Sequence, residues 1–483
     1  MRSLFPVLLV AFAACFVSAA AAPAFDPQPW LADLDQTRQV LLTKYANIEW
    51  AVDQREANLP ALFADTRMRL AHAQSESDAR AAFDRLARKI GDEHLAFVWP
   101  KQPTGAKATP DRCAALGYDA RTRGPLLAAD AAGYRPLDTP QSGEFPAGTL
   151  ISGGTTVGII KIGVFMPQGF PDLCNAALAA LAVPADKPCD DACSDRVDDW
   201  VSARLTTDLA AQLRAIEKTG ANSLVVDIAG NGGGTEWSEA VARMLSPIRL
   251  RSEELRFVRG EHWAKRFSED GKSLREFESK AFGADRKLLH SLAGEVDARR
   301  TEALASCDVT ALWQGTQPSC AWLGKGFYGS GMLAAADPAT LRGKPWASLL
   351  FSPMEFPYEE GVWRGPLIVL IDSGVGSAAS EFAAVLQDNK AALIMGAPSG
   401  GGCGHTDGGT PTALTNSKAE LVVPDCARFR ADGTNEAMGI EPDVLVGFTP
   451  ADGPHLMARR FLEKLPEALD RARSFKYKSE TMK

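Results

Sequence analysis

Histidine is scarce in this chain, six residues in 483, so few imidazoles are candidates for acid–base work. A basic tract is missing as well. The 52 Lys and Arg residues are outnumbered by 60 Asp and Glu, both signs are spread along the sequence, and the net charge is −8. Such a surface offers no face that would track phosphates, and no nucleic-acid partner is expected. No internal repeat or low-complexity segment follows the N-terminal residues. The one extended apolar run, residues 4–17, falls short of the ~20 residues that span a bilayer, so no stable membrane insertion is expected. What remains is ordinary globular material, 46% apolar and 23% charged, in a chain long enough to bury a large core.

The N-terminus reads as an export signal. Met1-Arg2 is a short basic start, the apolar run is broken only by Pro6 and Cys15, and small residues follow at 18–22. Cleavage after Ala20 or Ala21 is expected, because Pro23 would be unfavourable just past the cut; the signal is placed at 1–21. Phe12-Ala13-Ala14-Cys15 is a poor lipoprotein signal, since the apolar run continues beyond Cys15. The mature chain is expected to be periplasmic or secreted. It retains eight cysteines, at 113, 174, 189, 193, 307, 320, 403 and 426, and an even number in an exported chain favours up to four disulfides. Proximity suggests Cys307–Cys320 and Cys403–Cys426. No second Cys or His pair lies near Cys189 and Cys193, so neither zinc nor any other metal is expected.

From Trp30 to about Lys89 the pattern is helical, with Leu31, Leu34, Val40, Leu41 and Tyr45 on one stripe and Ala81, Phe83, Leu86 and Ile90 on another, within a helical N-terminal unit placed at 26–100. Residues 101–150 read as a loop-rich connector with short strands. From 151 to 465 the pattern predicts an α/β core with largely parallel strands at 157–165, 223–228, 366–371 and 393–395. Helices are expected at 197–219, 235–245 and 378–387. The charged stretch 250–346 lacks this alternation and reads as an insertion over the core.

Two turns could carry chemistry. Asp372-Ser373-Gly374-Val375-Gly376-Ser377-Ala378 leads from a strand into a helix and puts Ser377 at the helix N-terminus, where free amides favour a developing oxyanion. On local physics alone a plain N-cap serine is the simpler reading. Val375 and Ala379 stand where G-x-S-x-G requires glycine, which excludes the α/β-hydrolase elbow. The second turn, Asp227-Ile228-Ala229-Gly230-Asn231-Gly232-Gly233-Gly234, exposes backbone amides that could cradle a phosphate or an oxyanion. No G-K-[ST] follows it, so it is not a Walker loop.

Taken together, these segments resemble the C-terminal processing (tail-specific) serine proteases, including their tricorn-type branch. The pattern G-x-x-S-A-x-x-E-F-A-x-x-x-Q-D-N over 374–389, with Gly396-Ala397-Pro398-Ser399 after it, is similar to the family's nucleophile segment. Residues 224–234 (LVVDIAGNGGG) resemble its oxyanion strand, Ile90-Gly91-Asp92-Glu93-His94 its LGDGH segment, and Gly439-Ile440-Glu441-Pro442-Asp443 its C-terminal signature. The resemblance implies a crotonase-like α/β spiral core with a helical N-terminal domain, and a peptide or protein substrate.

One departure bears on mechanism. The bacterial processing proteases carry a Lys 25 positions after the nucleophile, and here that position is Gly402. The tricorn-type branch instead uses a His from the N-terminal side and a Glu before the signature, which match His94 and Glu436. An imidazole can take the hydroxyl proton and return it to the leaving amine. The resemblance thus implies catalytic Ser377, His94 and Glu436, an oxyanion hole from the amides of Gly233 and Ala378, and no cofactor. His405, in Gly404-His405-Thr406, is the alternative base. The interval 101–150 is too short for the PDZ module of ~90 residues usual in the family, which leaves tail-specificity without its usual reader. The expectation is an exported serine peptidase; a non-catalytic ligand-binding member of the superfamily and an esterase are its rivals. Oligomeric state is left open.

Overall fold

A computed structural model describes residues 25–475, apart from 101–110, 121–124, 186, 306, 405–410 and 450. The export signal and His405 lie outside the described residues.

The N-terminal helices are Gln28–Lys44, Ile48–Asp53, Leu59–Ala71 and Glu76–Ile90. The last begins where the Ser75 hydroxyl accepts from the Asp78 amide and ends at Gly91, left-handed at φ 82°. Its buried residues Ala79, Ala82, Phe83, Leu86 and Ile90 recur at three- and four-residue spacing. These helices share one core with the C-terminal half. Phe63 meets Trp313 edge-on at 4.7 Å, and the Trp322 indole donates to the Tyr45 carbonyl at 2.9 Å. The short strand Ala96–Val98 pairs antiparallel with Glu420–Val422.

A seven-stranded sheet forms the centre. In spatial order its strands are Val444–Leu445, Leu393–Gly396, Leu367–Ile371, Ser223–Asp227, Thr155–Lys161, Ala147–Ser152 and Arg135–Pro136. The first five are parallel, and the last two add antiparallel. Gly153 and Gly154, both at positive φ, make the two-residue hairpin turn. The sheet therefore begins at Arg135, inside the stretch read as a connector. Helix Asp191–Lys218 crosses between two parallel strands and starts six residues earlier than its periodicity predicts, because Asp190 caps the Cys193 amide. Helix Pro454–Arg473 covers the opposite sheet face with Phe461, Leu465 and Leu469, an element not anticipated from sequence.

The insertion has its own architecture. Glu254–Val258 is the middle strand of a small antiparallel sheet, between Leu323–Tyr328 and Cys426–Phe429. A hairpin of helices Glu261–Lys280 and Gly283–Ala303 packs upon it.

Both proximity-based cysteine pairs form, Cys307–Cys320 and Cys403–Cys426, joined by Cys113–Cys174 and Cys189–Cys193. Among the described residues no helix is long and apolar enough to cross a membrane.

Candidate active site

Ser377 immediately precedes helix Ala378–Asp388, at φ 52° and ψ −129°, a conformation that costs a non-glycine residue about 1–3 kcal/mol. Its hydroxyl makes no capping bond and no hydrogen bond to a described residue. The plain-cap reading is therefore not the observed arrangement. The Ala378 amide, first in the helix, likewise has no acceptor among the described residues.

The glycine turn is pressed against this serine. A Cβ added to Gly233 would fall 2.6 Å from Ser377 Cβ and 2.9 Å from the Ala378 nitrogen, so only glycine fits, and its φ of +109° says the same. Asp372 ties the two turns together, its Oδ1 accepting from the amides of Gly230 at 2.7 Å and Gly374 at 2.9 Å. The Gly376 amide adds a bond to the Asn231 carbonyl. Of the two amides expected to hold an oxyanion, that of Gly233 donates to Asn231 Oδ1 at 2.9 Å. Below the turn lies an ion pair that sequence reading passed over. Lys161 Nζ donates to Asp227 Oδ1 at 3.2 Å and to the Ala229 carbonyl at 2.5 Å, and all but a few per cent of both side chains is buried.

His94 enters from the helical part, on the turn after Ile90. Its Nδ1 is buried, has no hydrogen-bond partner among the described residues, and stands 3.6 Å from Asp92 Oδ1. Asp92 is itself fixed by the Tyr45 hydroxyl at 3.0 Å, Asn47 Nδ2 at 3.2 Å and the His94 amide at 3.0 Å. Burial, followed by the charge of Asp92, pushes the Tyr45 phenol well up, which keeps it a donor. Across the ring run Gly402 and Gly404. A Cβ on Gly402 would sit 3.6 Å from His94 Nδ1, and one on Gly404 would sit 2.8 Å from Nε2. The position that carries Lys in the bacterial processing proteases thus faces the imidazole here.

Glu436 is fully buried in the same region, but its hydrogen bonds go to Arg428 rather than to His94. Arg428, unremarked in the sequence, is the hub. It pairs with Glu436, reaches Glu381 Oε2 at 2.9 Å, and donates from Nη2 to the carbonyls of Ser377 and Gly402, each at 2.8 Å. One guanidinium therefore joins the serine turn to the strap beside His94. Although burial opposes its charge, the surrounding carboxylates Glu436, Glu381 and Glu253 raise the affinity of Arg428 for its proton. Arg428 and Lys161 could not be found from local pattern, because their partners lie up to 68 residues away, on other elements. Asp92 could have been, since it sits two residues before His94 in a quoted motif.

The family model for peptidase family S41 matches residues 196–446. Among solved structures, mature CPAF complexed with lactacystin is 14% identical, with a TM-score of 0.55 over 92% of this chain and 99% of that one. Mature CPAF alone gives 14% identity and a TM-score of 0.53 over 92% and 98%. The photosystem II D1 C-terminal processing protease is 13% identical, with a TM-score of 0.31 over 90% and 97%. No curated protein matches by sequence. The family match spans more than half of the chain, between the long crossover helix and the last strand of the sheet, and takes in both turns that meet at Ser377; this protein belongs to peptidase family S41, the C-terminal processing proteases.

Proposed function

We propose that the protein is an exported serine peptidase that cleaves peptide bonds through an acyl-enzyme on Ser377, with His94 as general base. The observation that carries this reading is that Arg428 ties the turn of an uncapped, strained Ser377 to the Gly402 strap, which lies along the His94 imidazole. In the proposed sequence the Ser377 hydroxyl attacks the substrate carbonyl carbon while His94 Nε2 takes its proton. The proton passes to the leaving amine as the C–N bond breaks. Water then attacks the ester, giving its proton to His94, which returns one to Ser377 as the acid leaves.

The Ala378 amide serves as one oxyanion donor. The Gly233 amide serves as the second by exchanging Asn231 Oδ1 for the oxyanion. Asp92, 3.6 Å from Nδ1, orients the imidazole, and Glu436 acts through Arg428 as a positioning residue. Parallel strands with crossover helices support a crotonase-like spiral for this core, within a division into a signal at 1–21, a helical unit at 26–100, a connector from 101, and a core that takes in the sheet strands from Arg135 and the helix ending at Arg473, with its insertion at 250–346. Four disulfides support export.

A diverse peptide library digested by the exported protein and read by mass spectrometry is expected to show cleavage that Ser377→Ala abolishes. A library left intact would overturn the peptidase reading in favour of a ligand-binding member.

A further inference from the structure

We infer that the cavity between the helical hairpin and the small antiparallel sheet receives a large apolar side chain of the peptide, next to the bond that is cut. The inference rests on the peptidase reading and adds the substrate class. The cavity holds about 430 Å³, and its walls include the rings of Phe257, Trp263 and Phe327 and the Met332 side chain. Phe257 and Trp263 are stacked with centroids 3.6 Å apart, a rigid apolar wall rather than a collapsing one.

Two contacts tie this cavity to the catalytic turns. Glu236, on its lining, lies two residues beyond Gly234 in the turn that presses on Ser377. Gly329, also on the lining, abuts Glu381, the residue one helical turn after Ser377, whose amide donates to the Ser377 carbonyl. A peptide lying across Ser377 therefore has the cavity within reach of a neighbouring side chain.

The polar groups narrow the class. The Trp263 indole N–H and the Ser352 hydroxyl are buried without a hydrogen-bond partner among the described residues, and a peptide carbonyl would satisfy either. Arg266 and Asp270 at the rim pair with each other at 3.3 Å. Glu236 and Glu355 also line the mouth, and burial followed by the Glu236 charge raises the Glu355 carboxyl, so this wall disfavours added negative charge. An acidic side chain would lose its hydration against the rings and enter beside Glu236, Asp270 and Glu355, while Phe or Leu gains burial there.

The test separates binding from cleavage. Ser377→Ala protein is titrated with fluorescein-labelled peptides that differ only by Phe, Ala or Asp scanned through each position. At one position Phe should bind roughly tenfold or more tighter than Ala, with Asp weakest. Ser348 is an exposed residue on the cavity lining, and Ser348→Trp should remove the Phe preference without lowering thermal stability. Equal affinities, no binding, or a preference that survives Ser348→Trp would overturn the inference. Wild-type cleavage is scored separately. Cleavage with no such preference defeats the cavity and leaves the peptidase, whereas a Phe preference without any cleavage defeats the peptidase and leaves a ligand site.

Discussion

Arg428 donates to the Ser377 carbonyl oxygen at 2.8 Å, and the same nitrogen reaches the Gly402 carbonyl. The Ser377 backbone and the strap beside His94 thus share one donor. A buried charge of this kind is costly to remove alone, because Glu381 and Glu436 would be left unpaired. Arg428→Met should therefore lose ~3–5 kcal/mol of stability by urea denaturation. Arg428→Lys keeps the charge but loses the fork, and should retain more stability while still losing kcat. Wild-type stability in Arg428→Met would show that the hub carries nothing.

Asp92 makes a sharper distinction, because it stands beside Nδ1 of His94 whereas Glu436 does not. Asp92→Asn can keep its bonds to Tyr45 and Asn47 but loses the charge that orients and stabilises an imidazolium. Its kcat should fall by ~10²–10⁴ with KM changed only a few-fold. Turnover within twofold of wild type would return the orienting role to another group.

The serine turn was legible in sequence because its chain pattern is local: an apolar strand, two glycines, small residues, then a helix. The glycine turn was legible for the same reason. Its opposite number, the pairing of residues 254–258 with both 323–328 and 426–429, was not, since such register depends on segments far apart in sequence. Arg428 sits in that small sheet and looks in the sequence like any solvated cation; only the fold surrounds it with carboxylates. Glu436 was singled out by its place before the C-terminal signature, but its ion-pair partner, Arg428, was hidden. The resemblance located His94, while the meaning of Gly402 emerged only when its strap was seen lying along the imidazole.

The disulfide Cys403–Cys426 joins the residue after Gly402 to the strand bearing Arg428, across 23 positions of sequence. Replacing both cysteines by Ser should lower stability by ~2–4 kcal/mol and reduce kcat by loosening the strap from His94. Stability and turnover both unchanged would contradict this coupling.

Glu381 predicts how stability varies with pH. Burial pushes its carboxyl up to about 8, opposed by Arg428 and assisted by the charges of Glu239, Glu436 and Glu236. The folded chain thus keeps a proton that the unfolded chain has released above its ordinary carboxyl value of 4.5. The contribution is complete below that value, declines as pH rises, and is gone above about 8. Glu381→Gln, which cannot ionise, should flatten the fall between these limits and be more stable than wild type at pH 9 by ~1–3 kcal/mol. An identical slope in denaturation curves for the two proteins would refute the assignment.

The central claim is that Ser377 is an activated nucleophile and His94 its base. Fluorophosphonate labelling followed by peptide mapping tests it most directly, since a serine that merely begins a helix does not react. The native protein should carry the label on Ser377, Ser377→Ala should carry none, and His94→Ala should react at least ~10³-fold more slowly. Correctly folded protein that leaves Ser377 unlabelled, or a His94→Ala variant labelled at the wild-type rate, would contradict the account.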